Sequence, residues 1–280
     1  MYLSKKKRIR RTLLVHAALF ILTFIILLPV LWMILTSLKP TAETLKFPST
    51  ILPDNPTIQN YLAAWRNMRL GTYFINSLYV SLMTTFVAIV LGCMGGYALA
   101  RFRMKGEKAY VMFILVTRMF PAVVFLIPFF IMMRNLQLTD SFTGLIISYT
   151  VFSLPFSIWL LRGFFRNIPS ELEEAARIDG CTRFKAFTRI ILPLSAPGIA
   201  ATAVFCFILA WNEFMFANTL IMSDSKRMLT VALVASISDF LVKWNELMAG
   251  GMITTIPVII FYLFMQKYIT GGLTEGSVKG

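Results

Sequence analysis

Residues 171 to 193 read Glu171-Leu-Glu-Glu-Ala-Ala-Arg-Ile-Asp-Gly180-Cys-Thr-Arg-Phe-Lys-Ala-Phe-Thr-Arg-Ile-Ile-Leu-Pro193. This polar, helix-forming island lies between two long apolar windows, 142–164 and 196–222. A run of about 20 apolar residues is the unit of a membrane-spanning helix. The island is therefore a structured connection on one face of a membrane, and its length and composition suit a surface that a partner docks against.

Four more windows of the same kind, 12–35, 73–99, 109–133 and 249–270, give six candidate spans in one transmembrane domain over 1–280. None shows the alternation of a membrane β-strand. The expected fold class is all-α, a polytopic membrane protein with a loop at 165–193. Composition agrees: 58% of residues are hydrophobic and 14% charged, against about 25% charged in soluble domains, and the mean hydropathy is +0.74.

The net charge of +14 is placed for a bilayer and not for nucleic acid. Lys5, Lys6, Lys7, Arg8, Arg10 and Arg11 precede the first window. Arg101, Arg103, Lys105 and Lys108 follow the second. Arg162 stands at the end of the fourth and Arg166, Arg177, Arg183, Lys185 and Arg189 follow it, while Lys267 stands at the end of the last and Lys279 follows it. The positive-inside rule puts these segments, and both termini, in the cytoplasm. The basic N-terminus followed by a long apolar run without a cleavage site reads as a retained anchor. Cys93 and Cys206 fall inside spans and Cys181 in the island, which implies no disulfide framework.

Prolines 40, 48, 53 and 56 make the outside loop 36–72 extended or turn-like, with a short helix expected over 58–65 and another amphipathic helix over 239–248. Pro29, Pro121, Pro128, Pro155 and Pro257 permit kinks within spans. Gly92 and Gly96, in a G-x-x-x-G spacing, allow close helix approach and read as internal packing.

Within the island, Ser170 and Glu173 have the spacing of a capping box. Glu171, Glu173 and Glu174 favour the positive end of a helix dipole, and Gly180 is a natural left-handed stop. A short helix is expected over 171–179 and a second over 182–191, ending before Pro193. Ala175 and Ala176 leave one side thin, and Phe184 and Phe187 offer apolar knobs.

The spacing Glu174-Ala175-Ala176, Gly180, Ile190, Leu192-Pro193 resembles the signature loop of binding-protein-dependent ABC importer permeases. Asn76-Ser77, Gly95 to Arg101, Trp211-Asn212-Glu213-Phe214 and the ending Gly271 to Gly280 resemble the carbohydrate branch, nearest to the smaller permease subunit of maltose-type importers. The resemblance implies a type I importer permease in a bacterial or archaeal plasma membrane, carrying a di- or oligosaccharide. It implies a second permease subunit, two cytoplasmic ATPase subunits and an extracytoplasmic solute-binding protein as partners. Glu174, Ala175, Ala176, Asp179, Gly180, Leu192 and Pro193 would couple to an ATPase, with a tail contact from Thr274, Ser277 and Lys279. ATP and Mg would be bound by those ATPases and no cofactor by this chain, which lacks a G-x-x-x-x-G-K-[ST] phosphate loop and is expected not to be an enzyme. No metal cluster is expected either.

Inside the spans, Arg118 is an ionised residue at membrane depth. It faces either a cavity or partner, or snorkels to the headgroups. Trp211, Asn212 and Glu213 combine an aromatic face with polar groups, as a sugar path does, or as inter-helix packing does. Two alternatives remain: an importer of the same class for a phosphorylated polyol or other solute, and an autonomous secondary transporter, for which no repeat is evident.

Overall fold

A computed structural model describes residues 5–102, 105–237 and 242–275. The elements are α1 (Lys5–Ser37), α2 (Thr41–Thr44), α3 (Gln59–Asn67), α4 (Leu70–Arg101) and α5 (Glu107–Thr117). After a 3-10 turn at Ala122–Phe125 come α6 (Leu126–Asn135), α7 (Phe142–Asn167) and α8 (Glu171–Ile178). Then follow α9 (Arg183–Ala186), a π-helical turn at Phe187–Ile191, α10 (Leu192–Leu194), α11 (Ala196–Trp211) and α12 (Met215–Leu220). A 3-10 turn at Asp224–Lys226, α13 (Leu229–Ala235) and α14 (Trp244–Glu275) complete the chain. The described residues contain no strand.

Four helices are long and apolar enough to cross a membrane: Arg11–Ser37, Leu70–Arg101, Phe142–Asn167 and Trp244–Tyr268. A fifth arises if Arg183–Leu194 and Ala196–Trp211, bent by 76°, form one span. The windows 109–133 and 196–222 are each built from more than one helix. The first breaks at Arg118–Pro121, where proline removes a donor and disfavours helix at the residue before it. The second breaks after Trp211, where Glu213 folds back to bind backbone N–H groups ahead of it.

The chain divides into two compact units. In the first, residues up to Leu70 together with Ala235–Thr254, α1 turns its apolar side chains outward from Leu13 to Trp32. That is the exposure a helix has when lipid surrounds it. The loop after it is tied by buried Asn60, whose amide donates to the carbonyls of Ser37 (2.7 Å) and Lys39 (2.8 Å) and accepts from Asn245 at 2.8 Å. Glu43 accepts from the Thr50 hydroxyl at 2.7 Å and from the Asp54 amide; these bonds, Thr50 first, hold its carboxyl below the usual range. The short helix expected at 58–65 is α3. The separate amphipathic helix expected at 239–248 is not formed. Residues 239–241 lie outside the described residues, and from Trp244 the chain is already in α14. The polar Asn245 and Glu246 are buried against Asn60, Thr41 and Asn67 rather than turned to an interface.

The second unit, Gly71–Val234 with the remainder of α14, is organised around α4 and α7. A Cβ on Gly92 would lie 3.0 Å from the Ser157 Cβ, and one on Gly96 3.0 Å from the Arg162 backbone nitrogen. The G-x-x-x-G face is thus spent inside the chain, where it brings two backbones together. One apolar cluster gathers Cys93, Tyr97, Leu161, Phe165, Phe187 and Ile191 at the end of α7 nearest the island. Another gathers Val80, Met133, Leu145, Tyr149, Phe216 and Leu220 towards its start.

At the start of α7 the loop residue Asp140 ties its loop to the segment 220–226. It accepts from the Met222 amide (3.0 Å), the Ser223 amide (2.9 Å) and the Ser223 hydroxyl (2.5 Å), and pairs with Lys226 at 3.2 Å. The following segment is fastened to α4, where the Tyr73 hydroxyl donates to Asp224 at 2.9 Å and Asn76 donates to the Ser225 and Arg227 carbonyls. The Ser223 hydroxyl, then the Ser223 and Met222 amides, hold the Asp140 carboxyl well below the usual carboxylate range. A depressed folded-state pKa contributes stability that is fully present above the unfolded value of about 3.9 and is lost only as pH falls through the folded one. The knot is therefore expected to give the same unfolding midpoint from about pH 7 to about pH 5. Asp140→Asn is expected to lower that midpoint by removing hydrogen bonds to a charged acceptor worth about 1.5–3 kcal/mol each. Thermal unfolding of the detergent-solubilised protein at several pH values checks both.

Candidate functional site

Helix α8 is amphipathic and held from one side. Glu173 is buried, accepts a hydrogen bond from the Tyr97 hydroxyl and pairs with Arg101 at 3.1 Å. Arg101 also donates to the Ile168 carbonyl at 2.9 Å. The capping box expected from Ser170 and Glu173 is not formed, because Glu173 turns inward to the arginine and Ser170 makes no side-chain cap bond. Ala176 is buried beside it. On the other side Glu174, Ala175 and Asp179 are exposed, as are Leu172 and, at 87% exposure, Ile178.

The helix stops at Gly180, whose φ is +85°. The Cys181 amide donates to the Ala176 carbonyl at 2.9 Å and the Gly180 amide to the Arg177 carbonyl at 3.1 Å. These are the two bonds of a Schellman stop, with glycine at the left-handed position. Thr182 then caps α9 through the Lys185 amide. The second helix does not end before Pro193. Its π turn at Phe187–Ile191 runs into α10 and reaches Leu194, with Pro193 in the first turn of α10, where its missing N–H is not called on. Of the two expected knobs only Phe184 is exposed; Phe187 packs 4.4 Å from the Tyr97 ring. Leu192 packs against the same cluster and Pro193 is exposed. Ser277 and Lys279 lie outside the described residues, as does the side chain of Thr274.

A second site lies in the unit's interior. Both interrupted spans line one cavity of about 580 Å³: Thr117, Arg118, Phe120 and Ala122 from the first break, Glu213 and Phe216 from the second. Phe125, Phe129, Tyr149, Phe152 and Pro155 form the walls. Non-helical backbone at membrane depth is tolerated where it is buried in protein or lines a cavity. The Arg118 guanidinium lies over the rings of Phe156 (5.1 Å) and Phe205 (5.2 Å). The Glu213 carboxylate accepts from the Phe216 and Ala217 amides at 2.8 and 3.0 Å. Beside it lies the buried Tyr149 hydroxyl, which faces the Glu213 carboxylate and has no other hydrogen-bond partner.

The structure thus brings Arg118 and Glu213 to one cavity but not Trp211 or Asn212. Trp211 is buried, stacked on Phe207 and edge-on to Phe74, and Asn212 is exposed. Trp211 ends α11 while Asn212 to Phe214 lie in the break, so the four-residue run does not present all its groups to one space. Tyr149, Phe152 and Asp140 were missed in the sequence, where nothing but their residue type marks them. Among the described residues no group of His, Cys, Asp or Glu is placed to hold a metal ion.

A helical bundle with broken spans around a cavity, and an anchored amphipathic helix projecting beyond one end of α7, defines a multi-pass transport permease. The sequence pattern of the family described as "Binding-protein-dependent transport system inner membrane component" matches residues 88–274. The chain belongs to that family and is a transport subunit of ABC importer type rather than an enzyme. It is 40% identical over 256 residues to the trehalose transport system permease protein SugB of Mycobacterium tuberculosis, covering 91% of this chain and 93% of that one. It is 35% identical over 266 residues to the diacetylchitobiose uptake system permease protein NgcG of Streptomyces coelicolor, covering 94% and 88%. Among solved structures, a chain of a bacterial ABC transporter that imports the acidic polysaccharide alginate superposes with a TM-score of 0.81 at 26% identity, covering 96% of this chain and 99% of that chain.

Proposed function

We propose that this chain forms, with a second permease subunit, the membrane path of a carbohydrate importer driven by two ATPase subunits. The observation that carries the reading is the construction of α8: a helix fixed from behind by Glu173–Arg101, stopped at Gly180, and exposed in front at Leu172, Ala175 and Ile178. An exposed apolar face on a held helix fits a groove on another protein. In this reading Glu174, Ala175, Asp179 and Gly180 meet an ATPase from the cytoplasmic side, where the basic residues put the loop and both termini. The segment 274–280 makes a further contact there. ATP and Mg belong to those partners, and an extracytoplasmic binding protein delivers the sugar. The names of the relatives, which concern trehalose and diacetylchitobiose, support a di- or oligosaccharide.

The test is uptake by proteoliposomes containing the assembled transporter. Labelled oligosaccharide is expected to accumulate only with ATP inside and binding protein outside, and a cysteine at Ala175 is expected to cross-link to the ATPase. Uptake by this chain alone, driven by an ion gradient, sinks the reading in favour of a secondary transporter.

A further inference from the structure

The cavity has two chemically different ends. Arg118 carries a charge that no acidic group among the described residues offsets. Its guanidinium is held over two phenylalanine rings instead. Phe156 lies eleven residues before the end of α7 at Asn167. The apolar window 142–164 ends eight residues beyond Phe156, about 12 Å at about 1.5 Å per residue, which is well inside a hydrocarbon core about 30 Å thick. A guanidinium stacked at that level does not reach the headgroups, which disfavours snorkelling. A cation at such depth is costly unless something in its cavity answers it.

The other end holds Glu213 and Tyr149. Glu213 lies eight residues beyond Phe205 in the chain, and Tyr149 seven residues before Phe156. Helical rise along α7 places Tyr149 about 10 Å from the level of Phe156 and Arg118. The Glu213 oxygens accept from the Phe216 and Ala217 amides and face the Tyr149 hydroxyl. Tyr149 is 2% exposed, and its hydroxyl has only the Glu213 carboxylate beside it. A carboxylate and a phenol side by side form an acceptor and donor pair, to which a ligand's hydroxyls can bond.

Resting on the import reading above, we infer that this cavity takes an acidic sugar on the scale of a disaccharide. Its carboxylate sits on Arg118, whose planar fork suits a bidentate carboxylate. Its hydroxyls at the far end donate to Glu213 and pair with Tyr149, and its apolar ring faces lie along Phe129 and Phe152.

The assembled complex of both permeases and both ATPases, in nanodiscs and without binding protein, allows equilibrium binding to be measured directly. The probes are matched labelled disaccharides of gluco, galacto and manno configuration and their uronate counterparts. At least one uronate is expected to bind about tenfold tighter than its neutral match, the worth of one charge-assisted contact. Arg118→Gln closes that gap to within about twofold, while Arg118→Lys keeps part of it. Tyr149→Phe weakens the acid and neutral members of a pair alike. Equal binding of the two in wild type, or a gap that survives Arg118→Gln, overturns the inference. So does release of the partner permease by Arg118→Gln, which makes Arg118 a subunit contact. Equal binding together with ATP-driven uptake of the neutral sugar leaves the import reading standing. Binding of no sugar, together with no sugar uptake, overturns both.

Discussion

Gly180→Val is expected to leave the permease inserted and assembled while transport and transport-stimulated ATP hydrolysis fall more than tenfold. The residue stands at φ +85°, a region open to glycine and closed to β-branched side chains. A Cβ there meets nothing within 4 Å, so the penalty is purely backbone strain, about 1–3 kcal/mol for a non-glycine residue held left-handed. The chain relieves it by giving up the two stop bonds from Gly180 and Cys181, which changes where α8 ends and how Asp179 and Ile178 are presented. Nothing in the apolar clusters is touched, and that separates a coupling defect from a folding defect. Gly180→Asn, which tolerates the left-handed region better, is expected to retain most activity. Hydrolysis per assembled complex at the wild-type level in Gly180→Val removes this turn from the coupling path.

A larger effect on the protein itself is expected from Glu173→Ala. The Glu173 and Arg101 side chains are only 9% and 11% exposed. Removing one member of a buried pair strands the other charge, at a cost of about 3–5 kcal/mol. The assembled complex is expected to fall in abundance and to unfold at lower temperature, and α8 to become accessible to protease. The double variant Glu173→Leu with Arg101→Met is expected to recover much of the stability, since a well-packed apolar pair replaces an ionic one at little net cost. Full abundance and a wild-type midpoint in the single variant show that the pair does not anchor α8.

These two residues also mark what the chain reveals before folding. The role of Gly180 is legible because one residue type answers one conformational demand within a local motif. Glu173 was legible as acidic and near a helix start, which suggested a cap; its true partners, Tyr97 and Arg101, are remote in sequence. A trace of them was present, since Tyr97 and Arg101 are four apart and share a helix face, with an arginine closing an apolar run. The spans were legible from hydropathy, and Pro121 marked one break. The break after Trp211 carries no proline. It depends on Glu213 binding the Phe216 and Ala217 amides, a choice that composition does not foretell. Tyr149 and the Asp140 knot owe their importance to neighbours on other helices, so only tertiary packing exposes them.

The close seam between α4 and α7 has a mechanical consequence. With Gly92 and Gly96 against Ser157, Leu161 and Arg162, the two helices pack with little room to compress, and α4, 32 residues long, is about 48 Å of rod. At one end it is bolted to α8 through Arg101 and Tyr97, and at the other to residues 224–227 through Tyr73 and Asn76. A displacement imposed on α8 is transmitted along that rod instead of being absorbed by rotamer changes on the way. It arrives at the far end as a tilt of whole helices, with leverage set by the rod's length.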